Sequence, residues 1–381
     1  MIYLDNAATT FPKPPEVLAQ MTATYARLGC SPGRGGYDAA VEAEEFVFRV
    51  RSRLAGFFGA PDPNRVVFAQ NATDALNLCL QGALGPGDHV VSTRLEHNSV
   101  LRVLFHLQAS RDVRFDLVPF DGAGFIDPDD VARAIRPETR LVVINHASNV
   151  LGTVQPAAEI GRACRERGVP LVLDAAQSAG LVPLDMTAWG VSAVAFTGHK
   201  ALLGPTGIGG LAVAPELELA STRFGGTGVD SQSLFHTPDY PQRLEAGTLN
   251  LLGVIGLSAG LDYLAKDGPG AVPARELILA ARLWDGLARL KRIQLYGQAP
   301  AENHVPLFIC NVDGMRPTDV GAVLDGDFGV AVRTGLHCAP LAHEDLGLGG
   351  RGAVRFSLGY ATTAADIDQA VAAMAQICGQ G

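Results

Sequence analysis

Short apolar runs alternate with amphipathic stretches through the N-terminal two-thirds of the chain. The runs are rich in β-branched residues and are bounded by turn residues, which is typical of buried strands. We predict strands at residues 65–69, 89–93, 113–120, 140–147, 170–174, 194–197 and 209–213. Helices are predicted between several of them, at 73–84 and 156–167. This alternation predicts an α/β fold with a parallel or mixed sheet that helices cover on both faces.

The pattern changes near residues 250–265. Two helical stretches flank a turn-rich loop at 266–274, and shorter strand-like runs and a final helix follow; the helices are predicted at 249–264, 275–290 and from about Ala364, and the strands at 304–312, 330–335 and 353–359. Such an α+β pattern indicates a second, smaller domain. We therefore predict a large domain over 16–255, a small C-terminal domain over 256–381, and an N-terminal segment, 1–15, that packs with the small domain.

Composition narrows the classes of function. Of the 381 residues, 48% are hydrophobic and 18% are charged, against about 25% charged in an average protein. This balance supports a large core and excludes a disordered chain. Lys plus Arg number 30 and Asp plus Glu number 39, giving a net charge of −9, which argues against a nucleic-acid partner. No apolar stretch reaches the ~18 residues of a membrane span and the N-terminus does not resemble a targeting signal, so we expect a cytoplasmic protein without a membrane partner.

The six cysteines lie far apart, and no two of them are separated by just two residues. This spacing argues against a disulfide scaffold or a zinc ribbon, and no cluster of ligands around His343 indicates a metal site. Most of the cysteines have the apolar neighbours of a small core residue or lie away from the candidate site. We expect no catalytic role for five of them, Cys30, Cys79, Cys164, Cys310 and Cys378.

Candidate chemistry appears where the predicted strands end, which is where ligands bind in sheets of this kind. The strand at 170–174 closes with Asp174, and Lys200 follows the strand at 194–197, ahead of a glycine cluster. A desolvated lysine can form a Schiff base, and an aspartate can pair with a protonated pyridine nitrogen. Together they are what a pyridoxal-phosphate site needs. Taken alone, a lysine in such a position is more often a surface lysine at a strand end than a Schiff-base lysine.

Two further strand ends carry residues that a pyridoxal-phosphate site would use. Thr73 follows the strand at 65–69 and opens a helix, as a phosphate site requires. His97 follows the strand at 89–93 and offers a flat face for a cofactor ring. A lone histidine at such a position is more often structural, so it is the combination of strand ends that points to a cofactor site.

At this point a run of motifs resembles cysteine desulfurases of the class V aminotransferase group, which have the fold type I of pyridoxal-phosphate enzymes. The resemblance extends from residue 2 to about 370, and RTGLHCA resembles the short-loop branch, which includes sulfur-mobilisation desulfurases and selenocysteine lyases. It implies a large mixed-sheet α/β/α domain and a smaller α+β domain that carries a catalytic cysteine loop. The motifs, in order, are YLDNAATT, EHNS, SNVLGT, DAAQ, TGHK with GPTGIGGL, EAGT, RTGLHCA and VRFSLGY.

The resemblance implies roles toward the cofactor. Lys200 would attach pyridoxal phosphate, Asp174 would pair with the ring nitrogen, and Gln177 would hydrogen-bond the ring oxygen. His97 would stack on the ring and assist proton transfer. The remaining matches would hold the phosphate, with the last contributed across a homodimer interface: Thr73, Thr197, His199 and Thr248.

It also implies roles toward the substrate. Asn149 and Arg355 match residues that grip a substrate carboxylate, and Cys338 matches the nucleophilic cysteine, which would take the sulfur of L-cysteine as a persulfide and release L-alanine. We add Arg333 to the substrate-binding candidates. Arg333 and His337 lie close to Cys338 in sequence and would supply positive potential, although a strand would point residues 337 and 338 to opposite faces. A persulfide also calls for a sulfur-acceptor protein.

Alternatives stay open at this point. A selenocysteine lyase, or another class V lyase or aminotransferase, would use the same cofactor and overlapping residues. A nucleotide- or phosphate-binding α/β protein would use the glycine loop without this chemistry. The stretch SPGRGGYDAA keeps Arg34 and Gly35 but has glycine and tyrosine where the family often has two histidines, which leaves the substrate preference between cysteine and selenocysteine undecided.

Overall fold

The structure is a computed structural model that describes residues 1–33, 35–229, 231–266 and 271–379, without the side chains of 271–273. Arg34 and residues 267–270 of the predicted loop therefore lie outside the described residues. The strands are β1 (Ile2–Tyr3), β2 (Val66–Ala69), β3 (His89–Thr93), β4 (Arg114–Val118), β5 (Thr139–Asn145), β6 (Leu171–Asp174), β7 (Ala193–Thr197), β8 (Gly209–Val213), β9 (Ile293–Tyr296), β10 (Leu307–Val312), β11 (Val330–Ala331), β12 (Arg333–Gly335) and β13 (Ala353–Ser357).

Most of the helices lie between these strands in sequence. The helices predicted at 73–84, 156–167, 249–264 and 275–290 are present, with bounds shifted by a few residues. They are α1 (Pro15–Leu28), α2 (Asp38–Phe58), α3 (Ala72–Ala83), α4 (Asn98–Arg111), α5 (Pro128–Ala134), α6 (Ala157–Glu166), α7 (Met186–Trp189), α8 (Leu251–Lys266), α9 (Ala271–Ala288), α10 (Pro317–Phe328), α11 (Pro340–Asp345) and α12 (Ala364–Ile377).

The large sheet has the strand order β2-β8-β7-β6-β5-β3-β4. Strand β8 runs antiparallel to both of its neighbours, and the other strands run parallel to one another. The predicted mixed sheet is therefore confirmed. As a result, β2, β3, β5, β6 and β7 all end at the same edge, which brings together the polar residues that follow them.

Helices pack on both faces of the large sheet, because several of its strands, among them β2, β7 and β8, consist mostly of buried apolar residues. On one face α3 and α4 bury Leu76 and Leu104 against Leu211. On the other face α2, α6 and α8 pack against Leu173 and Phe196. Each large apolar side chain buried in this way contributes about 1.5–3 kcal/mol. The two helical layers shield the sheet from water up to the edge where the strands end.

The small sheet is antiparallel, with the strand order β12-β13-β10-β9, and packs against α9, α10 and α12. The N-terminal segment reaches this side of the molecule, since β1 pairs in parallel with β11 and Asp5 bridges to Ser357. The predicted boundary at 255/256 falls inside α8, which contacts α1 and α2. The division of the chain into domains stays a prediction.

The run predicted as one strand at 330–335 is divided in the structure. Val330–Ala331 pairs with the N-terminal strand β1, whereas Arg333–Gly335 pairs with β13. The chain changes partner between the two pieces, and a local apolar pattern carries no information about which strand lies alongside. Within the part of the chain that the structure describes, no helix combines the length and the hydropathy required to span a bilayer.

Candidate active site

The strand ends form a cavity of about 230 Å³ at the carboxyl edge of the large sheet. Residues that are far apart in sequence meet there, because parallel strands end at the same edge. The structure thus brings together most of the residues singled out in the sequence; those that line the cavity are Thr73, His97, Asn149, Asp174, Gln177, Thr197, His199 and Lys200.

Lys200 follows β7 and lies in the wall of this cavity. Desolvation lowers its pKa to about 8, although the nearby carboxylate of Asp174 acts in the opposite direction. The backbone before Lys200 is held by the N-terminal segment: the carbonyl of His199 accepts hydrogen bonds from Thr10 N and Thr9 Oγ1, each at 3.1 Å. The YLDNAATT motif therefore positions the lysine, a role that its sequence alone did not reveal.

Asp174 ends β6 and is 5% exposed. Desolvation raises its pKa, while a hydrogen bond from Ala176 N to Oδ1 at 2.9 Å and the charge of Lys200 both favour the ionised form. An ionisable carboxyl group in such a dry position is suited to pairing with a cation inside the cavity.

His97 caps α4 and is held in one tautomer by Ser99. Its Nδ1 accepts from Ser99 N at 3.0 Å and lies 2.8 Å from Ser99 Oγ, which in turn lies 2.6 Å from Thr73 Oγ1. Desolvation lowers the pKa of His97 to about 4, so the ring is neutral at pH 7. With Nδ1 accepting, the ring proton is on Nε2.

The sequence analysis missed Ser99 and Glu96, although both belong to the LEHNS stretch. Ser99 connects Thr73 to His97, as described above. Glu96 is fully buried and accepts from Thr93 Oγ1 at 2.7 Å and from Asn145 N at 2.9 Å. Burial raises its pKa to about 8. Glu96 is therefore mostly protonated at neutral pH and adds little negative charge near Asp174.

One end of the cavity is built to bind an anion. The N-terminus of α3 opens there, capped by Asn71, whose side chain accepts from Asp74 N. Among the described residues, Thr197 Oγ1 and His199 Nδ1 are buried without a hydrogen-bond partner. A Cβ atom at Gly209 would lie 2.8 Å from Asn71 Cα, so glycine permits the close approach of this turn. A helix N-terminus with unsatisfied polar groups matches a phosphate.

The residues present therefore fit pyridoxal phosphate. A lysine with a lowered pKa, a buried carboxyl group and a phosphate-type pocket occupy separate parts of one cavity. Gln177 also lines the cavity, where its Nε2 donates to the carbonyl of Ala7 at 3.0 Å.

Arg355 lies on β13 and is 2% exposed. One Nη donates to Asp5 Oδ1 at 2.9 Å and the other donates to the carbonyl of Asn149 at 3.0 Å. Its Nε is buried and finds no partner in the described part of the chain. The guanidinium is thus fixed in place with a donor still available, which suits an incoming carboxylate. Asp5 was missed in the sequence analysis because it lies 350 residues away.

Cys338 sits on a turn, not on a strand. The strand β12 ends at Gly335, and both His337 and Cys338 have left-handed backbone conformations, with φ of 50° and 57°. Such conformations cost on the order of 1–2 kcal/mol for each non-glycine residue. The Cys338 carbonyl accepts from Asn98 N at 2.7 Å, and the His337 carbonyl accepts from Asn149 Nδ2 at 2.6 Å. These two bonds pin the turn beside the cavity.

Exposure separates Cys338 and Cys30 from the four buried cysteines, and the guanidinium of Arg333 beside its thiol distinguishes Cys338. It is half-buried, and Arg333 Nη2 lies 3.9 Å from its Sγ. Burial raises the pKa of Cys79, Cys164 and Cys310 to about 12, which makes these thiols unreactive. Arg333 supplies the positive charge predicted beside the thiol, whereas the His337 ring is directed to His343 and to the Arg333 carbonyl.

Thr248 does not reach the cavity within one chain. It is exposed and lines a separate depression of about 400 Å³. Cys338, Arg333 and Arg355 are described residues that also lie outside the cavity lining. Asn149, which lines the cavity, is hydrogen-bonded to Arg355 and to the carbonyl of His337, and Asn98, which follows the lining residue His97, is hydrogen-bonded to Cys338. Arg333 is linked to this group through Cys338 Sγ.

Comparison with known proteins gives a consistent result. The family model described as Aminotransferase class-V matches residues 2–370. A protein of Methanothermobacter thermautotrophicus named probable cysteine desulfurase is 35% identical, over 100% of this chain and 95% of its own length. A protein of Synechocystis with the same name is 33% identical, over 97% of this chain and 89% of its own.

Solved structures agree. An apo cysteine desulfurase from Thermococcus onnurineus superposes with a TM-score of 0.93 at 32% identity, covering 99% of this chain and 94% of that chain. The cysteine desulfurase CsdA from Escherichia coli gives a TM-score of 0.87 at 28% identity, covering 98% of this chain and 94% of that chain.

The lowered pKa of Lys200 predicts how capture of pyridoxal phosphate depends on pH. Only the neutral amine can attack the aldehyde, and with a pKa of about 8 the neutral fraction falls tenfold for each pH unit below that value. We expect the rate at which cofactor-free protein gains absorbance near ~400–430 nm to rise roughly tenfold between about pH 6 and 7 and to level off above about pH 8. Lys200→Arg should show no such band. A rate that does not change over this range would contradict the prediction.

Proposed function

This chain belongs to the class V aminotransferase family, and on that premise we propose that it is a pyridoxal-phosphate-dependent cysteine desulfurase that transfers the sulfur of L-cysteine to Cys338. One observation carries the proposal. The half-exposed thiol of Cys338 lies on a turn that Asn149 and Asn98 attach to the cavity of Lys200 and Asp174. The relatives named cysteine desulfurase that match the chain over nearly its full length support it.

The family depends on pyridoxal phosphate, which when bound supplies an electron sink for charge that develops on the substrate carbon. We assign Lys200 to its attachment and Asp174 to the ring nitrogen. Gln177 would hydrogen-bond the ring oxygen, and His97 would lie against the ring. The phosphate would be bound at the α3 N-terminus by Thr73, Thr197 and His199, the last two of which hold unpartnered buried atoms.

The substrate carboxylate would bind at Arg355 and Asn149. Arg355 is already oriented by Asp5, and its Nε has no partner among the described residues, which supports a role in binding a carboxylate. Arg333 would hold positive charge between the substrate and the thiol, since its guanidinium already contacts Cys338 Sγ. Fixing the substrate by its carboxylate places its side chain toward the cysteine turn.

We assign proton transfer to two residues whose pKa values are lowered. The neutral amine of Lys200 would remove the Cα proton of the substrate, and neutral His97 carries a proton on Nε2. The thiolate of Cys338 would attack the substrate sulfur, so that an S–S bond forms while the Cβ–S bond breaks. The electron pair of the broken bond stays with carbon, which takes up a proton and becomes the methyl group of L-alanine. Cys338 is left as a persulfide, and the step needs no external oxidant or reductant.

Cys338 can be tested directly by mass spectrometry of the protein loaded with cofactor. After incubation with L-cysteine, we expect the peptide that contains residue 338 to gain one sulfur atom and L-alanine to form in parallel. Cys338→Ala should lose both the modification and, by about 100-fold or more, the alanine formation, because the acceptor of the sulfur is absent.

Cys30→Ala is the matched control, since Cys30 is also half-buried but lies outside the site. It should retain wild-type turnover. Undiminished alanine formation from L-cysteine in Cys338→Ala would contradict sulfur transfer to this thiol. If the wild type instead forms L-alanine from L-selenocysteine but not from L-cysteine, the result would favour a selenocysteine lyase.

We also propose a homodimer in which each subunit completes the phosphate site of the other. Thr248 is exposed beside the depression of about 400 Å³, and large apolar side chains project from the neighbouring segment. Phe224, Leu234 and Phe235 are 74%, 99% and 88% exposed. Exposed apolar groups of this size are typical of an interface. A cytoplasmic location and a sulfur-acceptor protein remain proposals that rest on the sequence.

Mixed dimers test whether the site is shared. Lys200→Ala and Thr248→Asp should each be inactive as homodimers, the second because a carboxylate repels the phosphate. Dissociated and reassembled together, they should recover activity, because one site per mixed dimer then has both native residues. No recovery in a mixture shown to contain mixed dimers, or a monomer by analytical ultracentrifugation, would rule out the shared site.

A further inference from the structure

Behind the Cys338 turn, two buried histidines face each other. His337 is 3% exposed and His343 is fully buried. Their Nδ1 and Nε2 atoms, respectively, lie 3.2 Å apart, and the rings are tilted by 31° with centroids 5.3 Å apart. His343 lies on α11, which begins directly after the turn at Pro340. The reaction outlined above uses neither ring.

Both rings are neutral at pH 7. Desolvation lowers the pKa of His337 to about 2 and that of His343 to about 4. The charged groups that face the pair reinforce this, since Arg355 and Arg333 also lower the pKa of His337. Each ring therefore carries a single proton, and the hydrogen bond between them has one direction.

The surrounding atoms decide that direction. His337 Nε2 lies 3.5 Å from the carbonyl of Arg333, which can only accept, so Nε2 is the protonated nitrogen of His337. Its Nδ1 then accepts from His343 Nε2. In this arrangement His343 Nδ1 carries a lone pair and no proton. This atom has no hydrogen-bond partner among the described residues. The opposite choice would bury an unpaired N–H there, which is the costlier arrangement.

The structure assigns His343 as a positioning residue for sulfur transfer: through its Nε2–H it holds His337, and with it the left-handed turn that directs Cys338 toward the substrate. Two consecutive non-glycine residues keep such a backbone conformation only when surrounding contacts enforce it. Asn149 and Asn98 hold the two carbonyls of the turn, and His343 holds its buried side chain. This inference rests on the proposed function of Cys338.

Three variants in a Cys30→Ala background test the inference. His343→Phe keeps a flat ring but removes the donor, whereas His343→Gln keeps a donor near the position of Nε2. His89→Phe is the matched control: it removes another buried imidazole, at the opposite end of β3 from the cavity, where His89 Nδ1 contacts Thr139 Oγ1. The measurements are alanine formation from L-cysteine, the rate of iodoacetamide alkylation at residue 338, the absorbance band of the bound cofactor, and thermal unfolding.

We expect His343→Phe to lower kcat by roughly tenfold or more with KM changed by less than about threefold, because a displaced nucleophile loses rate without losing substrate binding. Alkylation of Cys338 should slow as well, and the cofactor band should be retained. His343→Gln should recover kcat to within about threefold of the wild type, and His89→Phe should keep wild-type kcat and alkylation rate.

Two results would overturn the inference. One is alkylation of Cys338 and turnover at wild-type rates in His343→Phe. The other is a loss of kcat and of thermal stability in His343→Phe that His89→Phe reproduces, since this would mean that only packing was lost. If the wild type makes no alanine from L-cysteine, the proposed function fails, and the alkylation rates alone still decide whether His343 positions the thiol.

Discussion

Charge buried at the carboxyl edge of the large sheet is the constraint on which the rest of the site depends. The strands β6 and β7 are buried and mostly apolar, so an ionised group at their ends must be paired or hydrogen-bonded. Asp174 meets this requirement through Ala176 N–H. Arg355 comes from the small sheet but is equally buried, and it is held by Asp5 and the carbonyl of Asn149. Removing one partner of a buried pair costs about 3–5 kcal/mol. The same desolvation lowers the pKa of Lys200 into the range where its amine can act as a base.

The N-terminal segment satisfies this constraint on both sides of the cavity. Thr9 and Thr10 bind the carbonyl that precedes Lys200, on the large sheet, and Asp5 binds Arg355, on the small sheet. The side chain of Ser357 also donates to the carbonyl of Leu4. A segment of a few residues therefore fixes the carboxylate-binding arginine relative to the lysine. This spacing matters because a substrate must reach both groups at once.

The degree of burial also gives side chains of the same residue type, the cysteines and the histidines, different chemical properties. The cysteines buried in the helical layers and in the small sheet, Cys79, Cys164 and Cys310, are unreactive, whereas Cys338 is half-exposed beside a guanidinium. His97 stays neutral with its proton directed by Ser99. The histidine pair behind Cys338 is neutral for the same reason, and its single hydrogen bond supports a strained turn. Local polarity, more than residue type, decides what each group can do.

Much of the architecture was predictable from the chain, because it depends on short-range patterns. Apolar runs located the strands of the large sheet, and polar residues directly after them identified Lys200, Asp174 and His97 as neighbours. The rest depends on contacts between distant residues. The pairing of Asp5 with Arg355 spans 350 residues, the chain changes strand partner between β11 and β12, and the turn at Cys338 replaces the extended backbone considered there. Side-chain periodicity reports which face of an element is buried, but only the folded chain determines what lies against that face.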